Sequence, residues 1–137
     1  PGAGAYLHLR GRDTTGDIAG ALAVEGIEVR EAVLYAARPA MDVPEAAASL
    51  LTDGLAGVVT LFSPRTARIF AGFAADAAAA GRAWSLHATT GLAISRAAAE
   101  PLMGLGFGEL ALPAQPNAQA MVAALGAILD TGGGDSV

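Results

Sequence analysis

Short runs rich in Val, Leu, Ile and aromatic residues alternate with Ala-rich segments of helical periodicity along the whole 137-residue chain. That alternation is the pattern of parallel strands joined by crossover helices, because parallel neighbours cannot be linked by a tight turn. Five strand–helix units can be counted. Strands are predicted at 5–9, 28–35, 57–62, 84–87 and 109–113, and helices at 15–24, at 44–53, from Pro64, from Thr89 or Thr90, and from Asn117. Val58-Val59-Thr60-Leu61-Phe62 is the strongest buried-strand signal, whereas Arg30 and Glu31 among Val29, Ala32, Val33 and Leu34 suit an outer strand. Five units of this size predict one α/β domain over 1–131, a doubly wound, flavodoxin-like parallel sheet of five strands with ligands at the strands' carboxyl ends. The Gly-rich tail, 132–137, is expected to be disordered.

Composition narrows the chemistry. Ala fills 34 positions and Gly 18, so core side chains are small and elements pack closely. All eight basic residues are Arg, and there is no Cys. A Schiff-base or P-loop lysine, a thiolate nucleophile, a disulfide and a cysteine metal site are therefore excluded. The net charge of −5 argues against duplex DNA or an anionic membrane as the main partner. No window holds roughly 18 uninterrupted apolar residues. Without a basic region leading into an apolar core, the chain reads as cytoplasmic.

The loops at the expected carboxyl ends carry what chemistry there is. Arg10-Gly11-Arg12-Asp13-Thr14-Thr15-Gly16-Asp17 has neither Gly-x-Gly-x-x-Gly nor a Walker pattern, but two Arg beside a helix start could hold a carboxylate or phosphate. A solvated turn with Arg12 paired to Asp13 or Asp17 is the plainer reading. His8 and His87 fall on predicted strands with no carboxylate at an obvious ligand spacing, so no metal site is expected and each is read as a half-buried, locally bonded ring. Ser63 stands in Leu61-Phe62-Ser63-Pro64-Arg65, without the glycines of a nucleophile elbow, and reads as a helix cap. Thr89, Thr90 and Asn117 read as caps too. Placed at successive strand ends, these caps would line one rim with donors suited to an anionic ligand. Tyr35, at the end of the second strand, could share a proton or simply anchor its ring in the core.

Val33-Leu34-Tyr35-Ala36-Ala37-Arg38-Pro39, then Val58 through Phe70, then Leu86-His87-Ala88-Thr89-Thr90-Gly91-Leu92-Ala93, occur in an order and spacing that resembles the uroporphyrinogen-III synthases. Pro113-Ala114-Gln115-Pro116-Asn117 is similar to that family's last strand-to-helix junction, and Leu7-His8-Leu9-Arg10-Gly11-Arg12 to its mid-chain unit. The chain departs from the family in having His87-Ala88 where Gly-Pro is common, and Arg65 where a small residue follows Ser-Pro. Family members are about twice this length and two-lobed, so the resemblance implies a carboxyl-terminal part, with an amino-terminal half or a second copy completing it. Residues 1–35 are expected to take the place of the absent first βαβ unit, since two separate sheets would leave exposed edges.

The resemblance implies a cofactor-free, cyclising lyase of haem and other tetrapyrrole biosynthesis. Its substrate is hydroxymethylbilane, a linear tetrapyrrole with eight carboxylates, closed to uroporphyrinogen III with loss of water and inversion of the last ring. On that reading Tyr35 donates the proton, and Gly11, Arg12, Ser63, Arg65, Thr89, Thr90 and Asn117 hold the carboxylates. The rival class is a non-catalytic flavodoxin-like module or half-enzyme. A phosphoacceptor receiver is disfavoured because the third strand ends in Phe62-Ser63 rather than Asp.

Overall fold

A computed structural model of the chain describes residues 6–11, 17–35 and 42–132. The strands are β1 (Tyr6–Gly11), β2 (Val29–Tyr35), β3 (Val58–Leu61), β4 (Thr90–Ala93) and β5 (Glu109–Ala111). All pairings are parallel, and the strand order is β2-β1-β3-β4-β5. The helices are α1 (Ile18–Val24), α2 (Glu45–Thr52), α3 (Pro64–Ala79), α4 (Arg96–Ala99) and α5 (Ala118–Gly132), with a single 3-10 turn at Glu100–Leu102 after α4. This is the flavodoxin-like, doubly wound arrangement. The first unit, β1-α1-β2, is part of the same sheet as the rest.

Alternation along the strands divides the interior in two. Leu7, Leu9, Val59, Leu61 and Ala93 face a core with Leu51 of α2, Ala67 and Phe70 of α3, and Ala98 of α4. Val58 and Leu92 face the other way, onto Ile18 and Leu22 of α1 and Met121 and Leu125 of α5. Phe70 is fully buried, with its ring centroid 4.9 Å from that of Trp84 and 5.9 Å from that of Phe107. β3 is buried at all four positions, and β2 is an edge strand, as their sequences suggest.

The fourth strand departs from expectation. Residues 84–87 form no strand: Ser85 N–H donates to Leu51 O, and Trp84 and Leu86 pack into the core beneath α2, α3 and α4. The strand lies six residues later, in Thr90-Gly91-Leu92-Ala93, a run poor in β-branched residues. Tertiary fit outweighs propensity there. A Cβ on Gly91 would lie 2.7 Å from Leu110 Cδ2, so this strand has glycine where its neighbour leans closest. The helix expected from Thr89 or Thr90 accordingly starts at Arg96, capped by Ser95.

Two ends differ as well. α1 is capped by Asp17, whose Oδ1 accepts from Gly20 N–H at 2.8 Å. α5 continues through Gly132, where the disordered tail was expected to begin, while the rest of that tail, 133–137, lies outside the described residues.

Two substitutions test this packing. Phe70→Ala should cost about 3–5 kcal/mol, the usual range for emptying a fully buried aromatic site. Gly108→Ala should cost about 1–3 kcal/mol, since a Cβ there runs into the carbonyl of His87. Urea denaturation followed by circular dichroism measures both, and a midpoint unchanged in either variant contradicts the packing described.

Candidate functional site at the carboxyl rim

Because every strand is parallel, every strand-to-helix connection opens at one edge of the sheet. The chain passes from β1 to β2 on one side and resumes at β3 on the other, so the topological switch point lies between the carboxyl ends of β1 and β3. Gly11 closes β1 there, beside a register shift between Arg10 and Gly11 that moves the partner on β2 from Val33 to Tyr35. Gly11 and Tyr35 are thus paired in the backbone at the rim. Arg12, proposed with them from sequence, lies outside the described residues.

Across the switch point, Ser63 caps α3 in extended conformation, with Pro64 opening the helix. Its Oγ accepts from Thr66 N–H at 3.0 Å and donates to Thr66 Oγ1 at 2.9 Å. Arg65 follows on the first turn, exposed to solvent. Asn117 begins α5 in the same way, its Oδ1 accepting from Ala120 N–H at 2.8 Å. β3 and β5 are separated by two strand spacings, about 10 Å. Two helix amino termini, those of the 16-residue α3 and the 15-residue α5, therefore open onto one edge with their positive dipole ends outward.

Thr89 and Thr90 do not belong to this rim. Thr90 is in register with Val58 and Glu109, the first residues of β3 and β5, at the amino end of the sheet. Thr89 is buried, and its hydroxyl donates to Ala56 O at 2.7 Å, tying down the entry to β4. Neither caps a helix. The residue that occupies the expected place is Ser95, whose Oγ accepts from Ala98 N–H at 3.3 Å. Its signal was present in the sequence as Leu92-Ala93-Ile94-Ser95-Arg96, a shorter counterpart of Leu61-Phe62-Ser63-Pro64-Arg65.

A second feature joins residues far apart in the chain. His8 on β1 is in register with Glu31 on β2, and His8 Nδ1 lies 3.2 Å from Glu31 Oε1. Arg10 Nε is 3.3 Å from the other carboxylate oxygen. His8 is therefore buried with a partner 23 residues away rather than half-buried and locally bonded. Burial pulls its pKa below the ordinary 6.5, Glu31 opposes that shift by charge and hydrogen bond, and Arg10 reinforces it. His87 is exposed and has the local bond expected, Nδ1 lying 3.0 Å from Ser85 Oγ. Among the described residues no cluster of three or more His, Cys, Asp and Glu is arranged to hold a metal ion.

Among the described residues the rim offers backbone and side-chain donors at helix termini. The family model for uroporphyrinogen-III synthase HemD matches residues 1–123. The chain belongs to the uroporphyrinogen-III synthase family. The match includes β1 through α4, β5 and the amino-terminal part of α5, and with them Gly11, Tyr35, Ser63, Arg65, Ser95 and Asn117. Uroporphyrinogen-III synthases are cyclising, lyase-type enzymes of tetrapyrrole biosynthesis that act on a small tetrapyrrole. No curated protein matches the chain. No helix among the described residues is long and apolar enough to cross a membrane.

Ser63→Ala removes both the acceptor for Thr66 N–H and the donor to the buried Thr66 hydroxyl. The loss of stability should be about 1–2 kcal/mol. Ser63→Asp, which retains an acceptor at the cap and adds a negative charge at the dipole's positive end, should recover most of it. Thermal unfolding of the three proteins reads the difference.

Proposed function

We propose that this chain converts hydroxymethylbilane to uroporphyrinogen III, with release of water and inversion of the terminal ring. The observation that carries the reading is the family match over residues 1–123, which extends through both sides of the switch point. The electrostatics of the rim suit the substrate. Eight carboxylates need many separate donors more than a large positive field, and a net charge of −5 is compatible with donors supplied by helix termini and placed Arg side chains.

In the proposed reaction a proton delivered to the hydroxymethyl group lets it leave as water, and the electron pair of the adjoining pyrrole stabilises the cation that remains. The far pyrrole attacks that electrophilic methylene through its own substituted α-carbon, forming a spiro intermediate. Reopening and closing in the other sense inverts that ring, and loss of one proton restores the pyrrole. The net change is loss of one water. Folding the chain of rings so that its ends meet is the larger part of such catalysis. Tyr35, at the carboxyl end of β2, is assigned the proton transfer. Gly11, Arg12, Ser63, Arg65 and Asn117 are assigned to the acetate and propionate groups. For Ser63 and Asn117 the assignment is to the helix starts they fix, since both side chains are committed to capping.

Incubation with hydroxymethylbilane, oxidation and separation of the uroporphyrin isomers tests the reading. Type III in excess of type I is expected, because type I forms without the enzyme. Type I alone removes the activity from this chain. If type III forms, Tyr35→Phe should lower kcat by roughly 10²–10⁴-fold with KM little changed, and full activity in that variant refutes the proton-transfer role.

A further inference from the structure

His8 is 5% exposed and stands in the middle of β1, with Glu31 of β2 and Thr60 of β3 as its neighbours in register. Since an ionised carboxylate only accepts, the ring nitrogen facing Glu31, Nδ1, carries the hydrogen. Nε2, on the far side of the ring, has no hydrogen-bond partner among the described residues. The surroundings are hydrocarbon: the Phe62 ring lies 5.2 Å from the imidazole, centroid to centroid, and a cavity of ≈ 10 Å³ beside it is lined by Ile18, Leu22 and Leu125. Thr60 lines the same cavity, its buried hydroxyl without a partner among the described residues.

A proton added at Nε2 would create a cation in this enclosure. Glu31, the carboxylate that faces the ring among the described residues, is already shared with Arg10, whose own charge repels the newcomer. Among the described residues the other groups facing the ring bring no compensating charge. Tyr6 shares the cavity wall, and α1, α5 and β3 present Ile18, Leu22, Leu125, Thr60 and Phe62. Asp17 at the start of α1 is committed to Gly20 N–H, and Arg30 and Glu28 pair with each other at 3.5 Å.

The strands on either side of His8 differ in how firmly they are held. β1 is flanked on both sides, but β2 is an edge strand, paired among the described residues to β1 alone. Hydration of a charged His8 therefore costs least when β2, not β1 or β3, gives way. We propose that His8, Glu31 and Arg10 form a proton-sensitive clasp that fastens edge strand β2 to β1, closed while His8 is neutral and released when Nε2 takes up a proton. Tyr35 ends β2, so the clasp also governs where that end of the rim stands. The clasp itself is independent of which reaction the rim performs.

The direction follows from linkage. In the released form the imidazole has its ordinary pKa of 6.5, and in the closed form a lower one. Above 6.5 neither form carries the proton, and closure keeps its full advantage. As pH falls below 6.5 the released form binds the proton first, and the advantage shrinks until the closed-form pKa is passed as well.

Amide hydrogen exchange on the full chain, compared between about pH 7.5 and about pH 5 after correction for intrinsic rates, tests this. Protection over 29–35 should fall by up to tenfold per pH unit below the ordinary imidazole value, while 58–61 in β3 keeps its protection. His8→Gln, whose amide can still donate to Glu31, should abolish the pH dependence. Constant protection of β2, an equal loss in β3, or the same loss in His8→Gln overturns the clasp. Should His8→Gln fail to fold, the titration of the His8 ring protons in the unaltered chain decides. A midpoint below 6.5 supports the proposal, and one at or above 6.5 overturns it.

Discussion

The parallel direction of all five strands is the constraint on which the rest depends. Each return to the start of the next strand takes a crossover of a dozen or more residues, and the hydrogen-bonding needs of that crossover are met by helix. The handedness of such crossovers then fixes the face. Moving from β1 out to β2 sends α1 to one side, and moving back across β1 toward β3, β4 and β5 sends α2, α3 and α4 to the other. Both faces must be covered, which is why a chain so rich in Ala succeeds: small side chains let helices approach a sheet whose two surfaces are each only a few residues wide. The same constraint collects every strand-to-helix junction, and so the amino termini of the long helices, at a single edge. The rim is a consequence of strand direction before it is an adaptation to any ligand.

How legible this was in the sequence varied with how local the signal is. β3 was plain because Val58 to Leu61 combine β-branched residues with burial on both faces. Ser63-Pro64 and Asn117 were plain because a cap is written in the residues next to it. β4 was missed because Gly91 and Ala93 are chosen for the neighbours they admit, Leu110 and the packed helices, and no local rule contains that information. Meanwhile Trp84 and Leu86 mimic strand alternation while serving as plugs for the core beneath α2, α3 and α4. A shift of one element carried the site with it: moving the strand by six residues transfers Thr89 and Thr90 from the carboxyl edge to the amino edge, and replaces them with Ser95.

The pairing of His8 with Glu31 was illegible for a different reason. Nothing in either residue's surroundings announces the other, and 23 positions separate them. Only the register of β1 against β2 brings them opposite one another on the same face. Polar residues at alternate places on a buried strand, as in His8 and Arg10, are the local trace of such a partner. They also limit sliding, since a slip of one residue would turn Glu31 to the opposite face and leave both basic groups without it.

Trp84 has a use beyond packing. It is the chain's single tryptophan, and it rests against Phe70 in one of the two cores, whereas the core beneath α1 and α5 holds no tryptophan at all. Indole emission therefore reports on one side of the sheet only, and far-ultraviolet dichroism on helices of both. The protein has a built-in optical means of telling whether its two faces melt as one cooperative unit or in succession.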